Sequence, residues 1–314
     1  MLAPAHTPAR AIAIAAFLLF APQPLLPATL SSPAPLSPDP AALAAITTKK
    51  YPDADTVLVD GITSTHYAAD GSSRTRNDSL HKILTEKGLR EGRTRTYHYN
   101  TFYEDLRITF AQIIHPDGST TPIDIAAHTK EMTDRSQMSA NIYDLNNKVL
   151  TLSLPGLKIG DTLQIIHQRD QKRPPIKDIF AGGSFLESPH PILRGTFEIR
   201  GPKTTPLRSI ALLDKVGDTV THSQRDITNP DGSTDTIHTW VARDVPQYFP
   251  EPSMPAPAIC TQRILASTAA SWEEISQWYA RISEPHLTPT PAIRAKVAEL
   301  TTPAKPNESP PTPA

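Results

Sequence analysis

Cys260 is the single thiol among 314 residues and the first side chain able to act as a nucleophile. A catalytic cysteine needs a base, usually histidine, to make the thiolate, and a third group to orient that base. Cys260 sits in Ala-Ile-Cys-Thr-Gln behind a run of prolines, and no glycine-rich turn or helix start stands beside it to supply donors. The sequence therefore reads it as a small packing residue. The eleven histidines are scattered. None stands in His-Glu-x-x-His, and no pair has zinc-finger spacing. His66, His81, His98, His115 and His167 fall in or beside alternating runs and are read as polar residues on strand faces. Gly182-Gly183-Ser184 lacks the Gly-x-Ser-x-Gly elbow and reads as a loop. Asp53, Asp55 and Asp60 lack the spacing and closing glutamate of a calcium loop. Asn77-Asp78-Ser79 fits a glycosylation sequon, a pattern short enough to arise by chance. No catalytic, cofactor-binding or metal-ligating residue is assigned, and no cofactor is expected.

The elements that would position these side chains announce themselves by turns. Asp-Gly-Ser occurs three times between extended runs, at Asp70-Gly71-Ser72, Asp117-Gly118-Ser119 and Asp231-Gly232-Ser233. Asp-Gly suits a tight hairpin because glycine accepts positive φ without steric cost. Around these turns apolar and polar residues alternate. Val57 and Val59 share a face until Gly61 shifts the phase, which predicts a bulge. Leu106, Ile108 and Phe110 alternate with Arg107 and Thr109, and Leu150, Leu152 and Leu154 with Thr151 and Ser153. Leu163 and Ile165 follow the same rule, as do Leu193, Gly195, Phe197 and Ile199, and then Ile237, Thr239 and Val241. Strands with one wet face, joined by hairpins, stack sheet on sheet. The expected fold is all-β: an antiparallel multi-strand β-sandwich over residues 48–250, then two short C-terminal helices, between disordered proline-rich ends.

Of 33 prolines, ten lie in residues 1–52 and eight in residues 285–314, so the ends read as tails. Residues 1–28 read as a secretory signal: Arg10, an apolar core over 11–20, and a small residue at Ala28 for cleavage. That core is shorter than the ~20 residues a bilayer span takes, so no stable membrane span is expected after cleavage, and the expected location is periplasmic or extracellular. Residues 29–47 read as a Pro/Ala/Ser linker. The formal charge of −1, from 31 basic and 32 acidic residues, gives no basic surface for nucleic acid. Aromatics at 6% leave little material for a stacking platform. One cysteine permits no internal disulfide, so burial must hold the core.

Past residue 245 the pattern changes. Prolines at 246, 250, 252, 255 and 257 make a stiff connector, assigned to residues 251–270. Ser271 with Glu274 forms a capping box, in which each side chain serves the other's backbone N–H. Trp272, Ile275, Tyr279 and Ile282 then share one helical face, the candidate interface of this chain. Thr290-Pro291 opens a second helix with Ile293, Val297 and Leu300 on a face, within a helical segment of 271–301. Residues 302–314 read as disordered.

The order of short motifs resembles a known family. Tyr51-Pro52-Asp53-Ala54 precedes the first strand; His81-Lys82-Ile83-Leu84 and Gly88 follow the first hairpin. Pro116-Asp117-Gly118, Leu154-Pro155-Gly156-Leu157, Gly160-Asp161, Phe180 and Phe185 come next. Trp240, Val245-Pro246, Glu251-Pro252 and Ser271-Trp272 with Trp278-Tyr279 complete the series. Over about residues 48–300 the chain resembles the N-terminal domain of unknown function of bacterial secreted transglutaminase-like proteins. The resemblance implies a β-sandwich placed before a papain-like core carrying Cys, His and Asp. That core would begin after the second helix, and nothing after Leu300 matches its cysteine. Cys260 precedes the Ser271-Trp272 helix and does not correspond to it, so no catalytic residue carries over.

Three readings follow. The first is a non-catalytic exported sandwich, an interaction or scaffolding module whose partner is a transglutaminase-like catalytic domain or another exported protein. The second is the N-terminal part of a periplasmic transglutaminase-like amidase or peptidase. The third is a carbohydrate- or peptide-binding sandwich, for which three tryptophans supply few platforms.

Overall fold

The computed structural model describes residues 35–301, apart from residues 38, 137, 139, 140 and 142. The signal segment 1–28 and the tail 302–314 lie outside the described residues. The elements run α1 (Pro40–Ala44), β1 (Thr56–Tyr67), β2 (Ser73–Ile83), α2 (Glu86–Gly92), β3 (Thr94–Asn100), β4 (Glu104–Ile114), β5 (Thr120–Pro122) and α3 (Ile125–His128). They continue with β6 (Thr129–Thr133), β7 (Asn147–Ser153), β8 (Thr162–Gln171), β9 (Ala181–Phe185), β10 (Ile192–Pro202), β11 (Ser209–Leu213), β12 (Val220–Thr228) and β13 (Thr234–Val245). The last are α4 (Pro257–Cys260), β14 (Arg263–Ser267), α5 (Trp272–Leu287) and α6 (Pro291–Thr301). The fold is the expected one, mostly β with short C-terminal helices.

The three Asp-Gly-Ser turns share one construction. The glycine N–H donates to the carbonyl three residues back, at Ala68, His115 and Asn229, and each aspartate Oδ1 accepts from the serine N–H and hydroxyl. The glycines take φ of 81°, 84° and 84°. Each glycine thus follows the turn in the left-handed region, as in three-residue hairpin loops. A methyl at Gly118 or Gly232 meets nothing within 4 Å, whereas at Gly71 it lies 2.7 Å from the Ile179 carbonyl oxygen. Gly118→Ala and Gly232→Ala should each cost about 1 kcal/mol of left-handed strain. Gly71→Ala should cost about 3 kcal/mol, because backbone must also move. Urea titration of the three variants checks the ranking.

Among the described residues, eight strands form one sheet in the order β12-β13-β10-β1-β2-β8-β4-β5, and there are two sheets of three, β11-β14-β9 and β3-β7-β6. All pairs are antiparallel except β1 with β10, which run parallel. Bulges shift two strands. In β1 the register slips at Val59, two residues before the Gly61 position expected. In β4 it slips at Thr109, so Ala111 and Ile113 join Ile108 in the core while Phe110 turns to the opposite face. The alternation expected for Phe110 fails there because an inserted residue inverts every side chain after it. Leu193 likewise leaves the face of Phe197 and Ile199 and packs with Ala54 and Val57.

The register shows that both small sheets cover the same face of the large one. Ala111, Ile165, Ser79, Gly61, Gly195 and Ala242 lie in one row across it. At one end Ile108, Ala111, Leu163 and Ile165 pack against Leu152 and Leu154 of β7. At the other, Phe197, Ile199, Trp240 and Ala242 pack against Ile264 and Ala266 of β14.

Three segments depart from the sequence reading. Within the expected 29–47 linker, α1 buries Leu43, and Ile46 beyond it is also buried. The strap is tied down because the fully buried Asp78 carboxylate accepts the Leu36 N–H at 2.9 Å, while Gln164 Nε2 donates to the Leu36 carbonyl at 2.9 Å. Within the expected 251–270 connector, β14 supplies core residues. Finally, α2, capped by Thr85 Oγ1 accepting from the Gly88 N–H, spans seven residues, too few to show a helical period in sequence.

Candidate functional site

Between the two covering sheets the central strands β1 and β2 leave a trough. Its floor carries Thr63, Thr65, Thr75, Asn77, Ser79 and, at one end, His81. These pair across the strands: Asn77 Nδ2 donates to Thr63 Oγ1 at 2.8 Å, and the Thr65 and Thr75 hydroxyls lie 2.9 Å apart. Gly61 opposite Ser79 keeps the floor low. One wall is β9, whose Ser184 and Phe185 border a cavity of about 210 Å³ together with Leu58, Asn77, Ser79 and His81. The other wall is β3. Its Tyr97 ring sits 4.8 Å from the His167 ring of β8, and Arg169 of β8 donates to the His98 carbonyl at 3.1 Å.

The buried ring nitrogens Nδ1 of His81, His167 and His190 have no hydrogen-bond partner. Burial, reinforced by the charges of Arg95 and His190, pushes the pKa of His81 down to about 3. Burial and then Arg169 push that of His167 down to about 4. Both are neutral at pH 7. Arg95, half-buried and close enough to act on His81, has its pKa lowered by burial, with Tyr97 and Glu91 opposing; it makes no ion pair among the described residues. No hydroxyl or carboxylate hydrogen-bonds to His81 or His167 among the described residues. No group of three metal-ligating side chains occurs among the described residues.

The histidine shifts set a pH dependence. A native-state pKa below the unfolded value near 6.5 means that unfolding takes up protons in acid. The stability these rings contribute is complete above about pH 6.5 and falls as pH drops toward 3–4. The hydrogen-bonded carboxylates, such as Asp134 with its pKa lowered to about 2, act only below the ordinary carboxylate range. The urea midpoint should therefore already fall between pH 7 and pH 5, and His81→Asn with His167→Asn should flatten that slope.

The sequence-derived candidates lie elsewhere. Ser271 Oγ caps α5 by accepting the Glu274 N–H at 3.3 Å, while Glu274 reaches back to the Ala270 N–H at 2.8 Å, one residue from the expected partner. Trp272, Tyr279 and Ile282 are 86%, 63% and 47% exposed, Ile275 is half-buried, and no residue of α5 or α6 is buried. The structure thus leaves this helical face uncovered. The Cys260 thiol lies within hydrogen-bond reach of the Pro255 and Ala256 carbonyls at 3.5 and 3.6 Å, and no base bonds to it among the described residues. His66, His81, His98 and His167 lie in strands and His115 directly follows one; the trough that His81 and His167 border needed the strand order to become visible. Two motifs far apart in sequence meet in a cleft of about 480 Å³, where Tyr51, Pro52 and Ala54 face Val245, Pro246 and Phe249.

Among solved structures, a "putative protease" from Parabacteroides distasonis ATCC 8503 superposes with a TM-score of 0.58 at 20% identity, over 68% of this chain and 40% of that one. This likeness shows a shared fold, and the chain spans about two fifths of that protein's length. An M1 zinc metallopeptidase from Deinococcus radiodurans reaches a TM-score of 0.28 at 10% identity, over 60% of this chain and 42% of that one. A CBM3a-L domain of a Clostridium thermocellum scaffoldin reaches 0.24 at 14% identity, over 38% of this chain and 69% of that one. Scores this low carry no argument about fold or function. No curated protein matches the sequence. Residues 69–249, from the first hairpin to just past β13, match the family described as a domain of unknown function with a solved structure, DUF3857. The match covers more than half of the chain, which therefore belongs to the DUF3857 family.

Proposed function

We propose that this chain is a non-catalytic exported β module whose α5–α6 pair docks a papain-like transglutaminase core. The observation that carries the reading is the uncovered face of Trp272, Tyr279 and Ile282 on a helix of 16 residues, none of them buried. A soluble helix normally buries its apolar stripe, and contiguous exposed apolar surface marks a partner site. Support for the occupant comes from the Parabacteroides protein, which carries further chain beyond the shared fold, and from the motif order over residues 48–300. That Cys260 meets backbone carbonyls and no base among the described residues supports a module without chemistry of its own.

A second reading makes the module the N-terminal part of a periplasmic transglutaminase-like amidase or peptidase, favoured by the protease designation of the Parabacteroides protein. The two readings share the docking face and differ in whether the core is on the same polypeptide. The DNA beyond codon 314 separates them: an in-frame Cys/His/Asp core favours the second, a separately encoded one the first. Sedimentation tests the docking. The chain should form a 1:1 complex with the transglutaminase-like core from the same genome. Tyr279→Arg with Ile282→Glu, both at exposed positions, should weaken that complex at least tenfold. Failure to associate with any such core overturns the reading.

A further inference from the structure

The trough has the dimensions of a missing strand. Ser184 of β9 lies with Gly61 and Gly195 of β1 and β10, whereas Tyr97 of β3 lies on His167 of β8. Counted from β1, the nearer of the two strands below β9, β8 is two strand spacings away, roughly 9–10 Å, which is the separation of two strands flanking a third. Seven residues of β2, Thr75–His81, run along the floor, a length of roughly 20–23 Å.

Both walls are sheet edges whose free backbone groups face inward. Leu154 N–H donates to Arg93 C=O, and Thr101 N–H to Asn146 C=O. The odd-numbered residues of β3 are therefore bonded to β7, and Thr94, Thr96 and His98 turn theirs outward. The Arg169 bond to the His98 carbonyl shows that this outward edge overlooks β8 and the trough. On β9, Leu186 N–H donates to Gln262 C=O and Thr268 N–H to Phe180 C=O, which leaves Ala181, Gly183 and Phe185 facing the opening. Unpaired edges are templates for another strand and are ordinarily blunted by charge, proline or cover. Neither free row carries a proline, and β9 carries no charge. At the His81 end lies an independent sign of a ligand: the ring of His81 is half-buried but its Nδ1 is shielded from solvent and has no hydrogen-bond partner, and half-buried Arg95, whose charge reaches that ring, makes no ion pair among the described residues.

We propose that an extended polypeptide of about six residues adds as a strand between β9 and β3 and seats a carboxylate against Arg95 and His81. Inserted there, it would join β11-β14-β9 to β3-β7-β6 as one second layer. Main-chain bonds to the two edges would supply affinity. Side chains facing the floor would be small or polar, to meet Thr63, Asn77 and Ser79. The carboxylate could belong to the chain terminus or to an Asp or Glu side chain.

The test uses the full chain and three pools of octapeptides randomised in sequence: one with free C-termini, one amidated, and one amidated with a fixed aspartate. Binding is read by hydrogen exchange of individual amides. The expected result is slowed exchange at Thr94, Thr96, Ala181 and Gly183 with millimolar pool. The pools bearing the carboxylate should act at least tenfold more strongly than the plain amidated pool, and the stronger of the two identifies its source. Thr96→Pro and Ala181→Pro each remove one free-edge donor and no ladder bond, so both should fold and lose at least tenfold in binding. Arg95→Gln should abolish the preference for carboxylate. Unchanged exchange with all three pools, or binding indifferent to both proline variants, overturns the proposal. Neither result touches α5 docking, because Trp272 and Tyr279 do not border the trough.

Discussion

Trp240→Ala is expected to remove about 3–5 kcal/mol of stability, the usual cost of deleting a large buried aromatic. Trp240 is 1% exposed and lies under β14 in the larger aromatic cluster. Its ring meets His222 at 4.7 Å, His238 at 5.7 Å and Phe197 at 5.8 Å, so three rings lose a stacking partner at once. A domain of ordinary stability holds about 5–15 kcal/mol, so the variant should be partly unfolded at room temperature or melt far earlier. Trp240→Phe keeps part of the stack and should retain more than half of the lost stability. Equilibrium urea unfolding gives both numbers, and a Trp240→Ala loss below about 1 kcal/mol would contradict this packing.

Gly201→Ala is expected to cost about 3 kcal/mol by overpacking rather than by a cavity. A methyl at Gly201 would stand 2.0 Å from Tyr67 Cζ. The ring cannot easily yield, because it stacks on Phe180 at 4.5 Å and its hydroxyl donates to the Thr205 carbonyl at 2.8 Å. The clash has a specific signature: in a Tyr67→Ala background, Gly201→Ala should cost almost nothing more. Such non-additivity is what a double-mutant cycle reads. Equal costs in both backgrounds would mean that the strain lies in the backbone instead.

The parts of the fold readable in sequence are those fixed by local chemistry. Asp70, Asp117 and Asp231 bond to serines two residues on, so the turn is written within five residues. The cap of α5 is equally local. What escaped depends on distant partners. The parallel β1–β10 pairing joins segments more than a hundred residues apart. The Leu36 strap is ordered only because Asp78 and Gln164 of the sheet receive it. β14 is five residues long and flanked by prolines and polar residues, so its alternation of Ile264 and Ala266 gives little signal alone. The trough was hidden for a related reason. His81 reads only as a polar residue on a strand face and Asn77-Asp78-Ser79 only as a chance sequon, and the strand order alone places covering sheets on both sides of them.

Acrylamide quenching of tryptophan fluorescence, with and without the transglutaminase-like core, tests the docking claim most directly. In the isolated chain Trp272 is 86% exposed, Trp278 half-buried and Trp240 enclosed, so the signal should divide into an accessible and a protected fraction. Trp272→Phe should remove most of the accessible fraction and identify it. Adding the core should shield that fraction with 1:1 stoichiometry, and Tyr279→Arg with Ile282→Glu should prevent the shielding. A Trp272 already shielded in the monomeric chain, or one equally accessible at saturating core, would contradict the account.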